Sequence, residues 1–282
     1  GVRTSAMQQE LDAIPAEAEG AALSRIQIEA RMEDGIPFHR WSQKDDFRNA
    51  PDHIRKADAL DWCIKTLKPV LTSLNPDRRH FMGEDFARSG DATDIVILEE
   101  GVDLVRRQRL IVELRNIPFD QQRDILFYIC DRIPRFSKGA LDKGGNGAYL
   151  AEKAALRYGD KIIEVSFSQE WYRQEMPPYI EAFGDATIVL CRHADVLQDH
   201  QSLQFVDGII RVPRDFRFKG SDGFDRHGDS AVAGALAWYA SRQEVEEFGY
   251  EGADPNDRWR TGSRGGDDDD DEPVGRFGRG AW

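Results

Sequence analysis

The spacing of apolar residues changes near residue 79. Before that point, Gln8 to Ile14 and Ala21 to Met32 read as helices, and Gly35-Ile36-Pro37-Phe38 interrupts the pattern. Pro51 to Leu74 then carries Ile54, Leu60, Ile64, Leu67 and Leu71 at roughly helical intervals, until Asn75-Pro76-Asp77 stops it. No stretch before residue 79 reads as a strand, so residues 1–78 are expected to form a mostly helical N-terminal extension. From Arg79 the period shortens. Arg79 to Ala87, Asp94 to Glu99 (DIVILE) and Arg107 to Asn116 (RQRLIVELRN) read as three strands, with a turn over Arg88 to Asp91. Short connections make these an antiparallel meander. Ile125, Leu126, Ile129 and Ile133 form a helical stripe between Pro118 and Pro134, Phe136 to Asp142 is a strand, Ala148 to Tyr158 a helix, and Lys161 to Phe167 a strand.

The order is β-β-β-α-β-α-β, which predicts an α/β fold with a mixed sheet and flanking helices. Beyond it, Gln169 to Phe183 reads as a helix despite Pro177-Pro178. Ala186 to Leu197 reads as a helix, or as a strand followed by one, and Gly208 to Pro213 as a strand. A polar glycine-rich loop, Phe218 to Gly223, leads to a final helix from Asp229 to Arg242. Its Ala231, Ala233, Gly234, Ala235 and Ala237 would let it pack very close to a sheet. The expected domain thus spans 79–243, and 244–282 is expected to be a flexible, acidic, glycine-rich tail.

Composition narrows the function classes. No uninterrupted apolar run approaches the roughly 18 residues of a membrane span, and the first residues carry no signal-peptide core, so no membrane association is expected. Cys63, Cys130 and Cys191 are an odd number, far apart and without a C-x-x-C pair, which argues against a disulfide framework or a zinc site and for a reducing interior. The formal charge of −13 has the wrong sign for a broad basic surface that grips a polyanion. The tail contributes nine acids and five arginines over 251–282, yet the remainder stays acidic. Either the ligand is not a polyanion, or some acids are clustered metal ligands and the grip on a polyanion is local.

Three aspartates favour the second option. Asp85 ends the first predicted strand (FMGEDFA), Asp142 ends the fourth (GALDKGGNG), and Asp229 opens the last helix (RHGDSAVAGALA). With the first and fourth strands adjacent and the last helix over them, the three carboxylates converge, as hard oxygen-seeking cations such as Mg²⁺ require. Each aspartate also has a plain structural reading, as turn former, strand-end cap or helix-start residue. Asp91, Asp94, Asp225 and His227 are possible supporting groups around the ligands, and Arg88, Lys138, Lys143 and Arg226 possible phosphate contacts. Gly144-Gly145-Asn146-Gly147 lacks the G-x-x-x-x-G-K-[ST] pattern, so no ATPase activity is expected.

The phrases MGEDFARSGDATDIVIL, ALDKGGNGAYLAEKAALRYG and DRHGDSAVAGALAWYAS, in this order, resemble the carboxy-terminal nuclease domain of phage large terminase subunits, particularly those of Mu-like phages and prophages. The resemblance covers about residues 79–242, with a looser echo in QQELDAIP. It implies a ribonuclease H-like fold and a DNA endonuclease that cuts concatemeric or integrated viral DNA. It also implies two Mg²⁺ or Mn²⁺ ions held by Asp85, Asp142 and Asp229, with Asp85 bridging. The last family motif often has two adjacent acids where this chain has Gly228-Asp229, which leaves Asp225 as the alternative third ligand. Implied partners are double-stranded DNA, an ATPase motor domain not present in this chain, a small terminase subunit and the portal protein. The implied location is the cytoplasm of an infected bacterium, transiently at the procapsid portal. Two rival readings remain: a resolvase-like nuclease on the same fold, and a non-catalytic docking module of the packaging motor.

Overall fold

A computed structural model describes residues 20–86, 92–145 and 147–243. The predicted tail, the turn at Arg88 to Asp91 and the helix at Gln8 to Ile14 lie outside those residues. A short α1 (Arg25–Glu29) precedes β1 (Met32–Glu33) and β2 (Phe38–Ser42). Then come α2 (Asp52–Trp62) and α3 (Lys68–Ser73), joined by a π turn over Cys63–Leu67. Pro69, at the start of α3, has no N–H to continue an α-helical ladder there.

The central elements follow the expected order: β3 (His80–Asp85), β4 (Ala92–Glu100), β5 (Arg106–Arg115), α4 (Phe119–Cys130), β6 (Phe136–Asp142), α5 (Gly147–Tyr158) and β7 (Ile162–Val165). Next are α6 (Gln169–Gly184), β8 (Ile188–Cys191) and α7 (Ala194–Gln201), so a strand followed by a helix is the correct alternative for Ala186 to Leu197. Two small hairpins, β9 (Gln204–Val206) with β10 (Ile209–Arg211) and β11 (Phe218–Lys219) with β12 (Asp225–Arg226), lead to α8 (Asp229–Ser241).

Among the described residues these strands build an eight-stranded mixed sheet in the order β1-β8-β5-β4-β3-β6-β7, with β2 also on β5. The meander β3-β4-β5 is antiparallel, and β6 lies parallel to β3 and β7 parallel to β6. This is the ribonuclease H-like arrangement expected from the sequence. The expectation of no sheet before residue 79 is corrected: β2 pairs in parallel with Ile111 to Arg115 of β5, and β1 with β8. β2 (FHRWS) is short and polar, and only its pairing with an apolar strand makes it a strand.

Helices cover both faces of the sheet, which is why β4 is buried along its whole length and reads as a continuous apolar run. On one face α6 and α8 bring Tyr179, Phe183, Ala233 and Leu236 against Phe81, Val96 and Ile111. On the other, α2 to α5 bring Leu67, Leu71, Ile125, Leu126 and Ala154 against Met82, Ile95, Ile97 and Val112. The small residues of α8 do what their size predicts. A Cβ on Gly83 of β3 would stand 2.0 Å from the carbonyl oxygen of Ala233 and 2.3 Å from the amide nitrogen of Ala237, so only glycine admits the helix this close.

Candidate active site

The strand registers set one row of charged residues across the end of the sheet. Asp85 of β3 lies opposite Asp94 of β4, Asp94 opposite Glu113 of β5, and Glu113 beside Arg40 of β2. On the other side Glu84 pairs with Leu141, so the next step along both parallel strands sets Asp142 beside Asp85. Residues in register share a face of a sheet, and this is the face that α8 covers. Asp229, the first residue of α8, is buried at the same end, where the helix N-terminus favours negative charge.

Electrostatics record the crowding. Burial, then Asp229 and Asp142, push the Asp85 carboxyl well above the usual carboxylate range. Burial also raises Asp142, partly offset by the Gly144 N–H that donates to its Oδ1 at 2.7 Å. Glu84 faces the opposite side of β3, fully buried, with no hydrogen-bond partner at Oε1; burial and then Asp142 push it up to about 8. Among the described residues, no group of three or more aspartate, glutamate, histidine or cysteine side chains is arranged to hold a metal ion. The oxygens of Asp85, Asp142 and Asp229 are nonetheless the donor type that a hard divalent ion takes. They are carboxylate oxygens that repel one another, and Mg²⁺ keeps several waters and needs only one or two carboxylates directly.

The middle of the row is neutralised from within. Arg226, with no exposed surface, donates from Nε and Nη2 to Asp199 at 3.1 and 2.6 Å, pairs closely with Glu113, and reaches Asp94 at 3.4 Å. Arg40 and Arg115 donate to Glu113 at 2.6 and 2.7 Å. Burial alone would raise Glu113, but Arg40, Arg226 and Arg115 hold its carboxyl below the ordinary value. Asp199 in turn accepts from the N–H and hydroxyl of Ser230, at 3.1 and 2.5 Å, and so anchors the start of α8 next to Asp229.

The sequence-selected residues therefore separate. Asp85, Asp142 and Asp229 come to one end of the sheet, and Asp94 stands beside Asp85, bound to Arg226 rather than open to a ligand. The backbone N–H of His227 donates to Asp229 Oδ2 at 3.4 Å. Asp225 turns outward and pairs with Lys219 at 2.8 Å. Arg226 is corrected as a phosphate contact, since its charge is enclosed by carboxylates. Lys138 is four residues before Asp142, roughly 13 Å along the strand, and donates to the Asp160 carbonyl at 2.7 Å. Lys143 is exposed beside Asp142. Asp91 and Arg88 lie outside the described residues. Sequence reasoning missed Glu84, Glu113, Asp195 and Asp199. For Glu113 a signal existed: a lone acid in LIVELR, on the same strand face as Ile111.

No family model matches the chain. The probable terminase large subunit gp28 of Escherichia phage Mu is 39% identical over 284 residues, covering 97% of this chain and 50% of that protein. The chain is homologous to the large terminase subunits of Mu-like phages. Protein gp28 of the Mu-like prophage FluMu of Haemophilus influenzae is 34% identical over 234 residues, 83% of this chain and 46% of that protein. The chain spans about half the length of these curated relatives. Similar solved structures include the large terminase nuclease of thermophilic phage G20c with bound magnesium, at TM-score 0.46 and 15% identity over 60% of this chain and 84% of that one. The large terminase nuclease domain of bacteriophage SPP1 with bound manganese has TM-score 0.38 and 10% identity over 60% and 88%. Among the described residues no helix is long and apolar enough to cross a membrane.

Proposed function

We propose that the chain is a metal-dependent DNA endonuclease of a viral packaging terminase, with Asp85, Asp142 and Asp229 as ligands of two Mg²⁺ or Mn²⁺ ions. The observation that carries this reading is the meeting of the three aspartates at one end of the sheet, with the Asp85 carboxyl raised by burial and by the other two. Bound there, divalent ions supply an activated water and stabilise the departing oxygen of a phosphodiester. Asp85, whose carboxyl feels both Asp229 and Asp142, would hold the ions together with them. The His227 N–H and the Asp199–Ser230 contacts orient Asp229 by fixing the first turn of α8. Lys143, exposed next to Asp142, would meet a phosphate. The substrate is double-stranded DNA, concatemeric or integrated, and the partners are the ATPase motor, a small terminase subunit and the portal.

The test is cleavage of supercoiled and linear plasmid with Mg²⁺, Mn²⁺, Ca²⁺ or EDTA, by the wild type and by Asp85→Asn, Asp142→Asn and Asp229→Asn, each checked for folding. Mg²⁺- or Mn²⁺-dependent cutting that each substitution abolishes is the expected result. Cutting indifferent to the three aspartates would sink the site, and folded protein that binds a packaging partner without cutting would favour the docking module.

A further inference from the structure

Residues 208–221 hold Arg211, Arg214, Arg217 and Lys219 against one acid, Asp215, in a chain of net charge −13. Lys219 is already paired with Asp225. The three arginines occupy the segment that leaves β10 and wraps the corner before Asp229. Gly228 has φ +84°, and a Cβ built there would come 2.6 Å from a methyl of Val212, so Val212 is pressed against the residue preceding Asp229. A turn follows, closed by the Phe216 N–H on the Pro213 carbonyl at 3.0 Å, with Arg214 and Asp215 at its exposed apex. The Phe216 carbonyl oxygen then lies 2.7 Å from both Nη1 of Arg217 and Nδ1 of His227, and His227 holds Asp229 through its backbone. The arginine-bearing turn is thus tied to the candidate site by short contacts.

We infer that Arg211, Arg214 and Arg217 form a phosphate seat that lays the sugar-phosphate backbone of duplex DNA alongside Asp229. This rests on the endonuclease reading and adds where the substrate is gripped. Arg214 is exposed and forms no ion pair among the described residues, and Arg211 has only Asp207, 79% exposed, at 3.3 Å. The Arg214 guanidinium is available to a phosphate at little desolvation cost, Arg211 beside it keeps 21% of its side-chain surface, and arginine matches phosphate with two parallel hydrogen bonds. Tyr172 reports the proximity independently: burial and then Asp85 and Asp142 raise its phenol, while Arg211 and Arg214 oppose them. The same ring therefore lies within electrostatic reach of the acids and of the arginines. A local seat also resolves the conflict between an acidic body and a polyanionic substrate, because backbone contacts need only a few cations at the right place.

The test uses the full chain with a fluorescein-labelled 30-base-pair duplex, Ca²⁺ in place of Mg²⁺, and anisotropy across a salt series. Neutralising three phosphate contacts in Arg211→Gln/Arg214→Gln/Arg217→Gln should flatten the log–log salt slope by about 0.9 per contact. Arg214→Gln alone, which removes no internal contact, should flatten it by about 0.9 without shifting Tm. Lys65→Gln, an exposed cation paired with Asp61 on α2 and the π turn, should leave the slope unchanged. Wild-type slope and affinity in the triple variant, with wild-type protein that binds and cuts DNA, would overturn the seat and leave the nuclease intact. Wild-type protein that neither binds duplex nor cuts plasmid would overturn both.

Discussion

Replacing Arg226 with methionine removes the cation at the centre of the acid row while keeping an unbranched side chain of similar length. Not every partner suffers equally. Glu113 keeps Arg40 and Arg115 at 2.6 and 2.7 Å, and Asp195 keeps Arg40 at 2.7 Å and both contacts of Ser221. Asp199 keeps only Ser230, and Asp94, whose Oδ1 already has no hydrogen-bond partner, loses its cation. Two buried carboxylates are left uncompensated, and breaking one side of a buried pair costs about 3–5 kcal/mol. For a domain of this size that lowers Tm by roughly 6–20 °C. The deficit must depend on pH. An uncompensated buried carboxyl has a folded pKa above its unfolded value, as burial and then Glu113 already impose on Asp94, so stability is lost as pH rises toward the folded pKa. Urea unfolding followed by tryptophan fluorescence should therefore show the larger deficit at pH 8 and a smaller one at pH 5.5. Arg226→Lys, which keeps the charge but loses the two-pronged contact with Asp199, should fall between. A loss below about 1 kcal/mol at pH 8, or a deficit that grows on acidification, would refute the argument that Arg226 is a structural cation.

Gly83→Ala sets a methyl against the backbone of α8, which cannot yield as a side chain could; it should cost about 1–3 kcal/mol or more in urea unfolding and lower Mn²⁺ affinity by displacing Asp229. Metal binding must compete with protons on Asp85 and Asp142, both raised chiefly by burial, so the Tm gain from a fixed Mn²⁺ concentration should increase between pH 6 and pH 8; an equal or smaller gain at pH 8 would contradict this. Glu84, pushed up to about 8, destabilises the metal-free protein progressively as pH rises from the ordinary carboxylate range through that value. Glu84→Gln should flatten that slope and be more stable than wild type at pH 9, measured by thermal melts in EDTA.

Legibility in the sequence followed how local the cause was. The runs DIVILE and LIVEL, the stripe Ile125, Leu126, Ile129, and the alanines of α8 each carry their periodicity or size within a few residues, and the elements they predict are present. Asp85, Asp142 and Asp229 were accessible because each ends or opens such an element. The strand β2 was not, since its five residues FHRWS have no apolar alternation and depend on pairing with β5, more than sixty positions away. Arg226 misled for a related reason. An arginine in a polar, glycine-rich stretch reads as solvated, and only the arrival of Glu113, Asp94 and Asp199 from three other elements shows that its charge is enclosed.

That enclosure divides the acid row in two. Arg226, Arg40 and Arg115 answer Glu113, Asp94, Asp195 and Asp199 with positive charge fixed in the fold. Asp85 and Asp142 stand in the same row, yet among the described residues neither has an ion pair, and burial raises both. A buried carboxylate without a cation is expensive, and a fold that already brings three arginines to the neighbouring positions could have brought one here. On the proposed reading the missing charge is supplied by the divalent ions. The internal arginines then have a second consequence: with Glu113 and Asp199 already answered by cations, an incoming ion would meet negative charge concentrated at Asp85 and Asp142 instead of spread along the whole row. On that reading the ion would be drawn to the end of β3 and β6, next to the turn that carries Arg214 at its exposed apex.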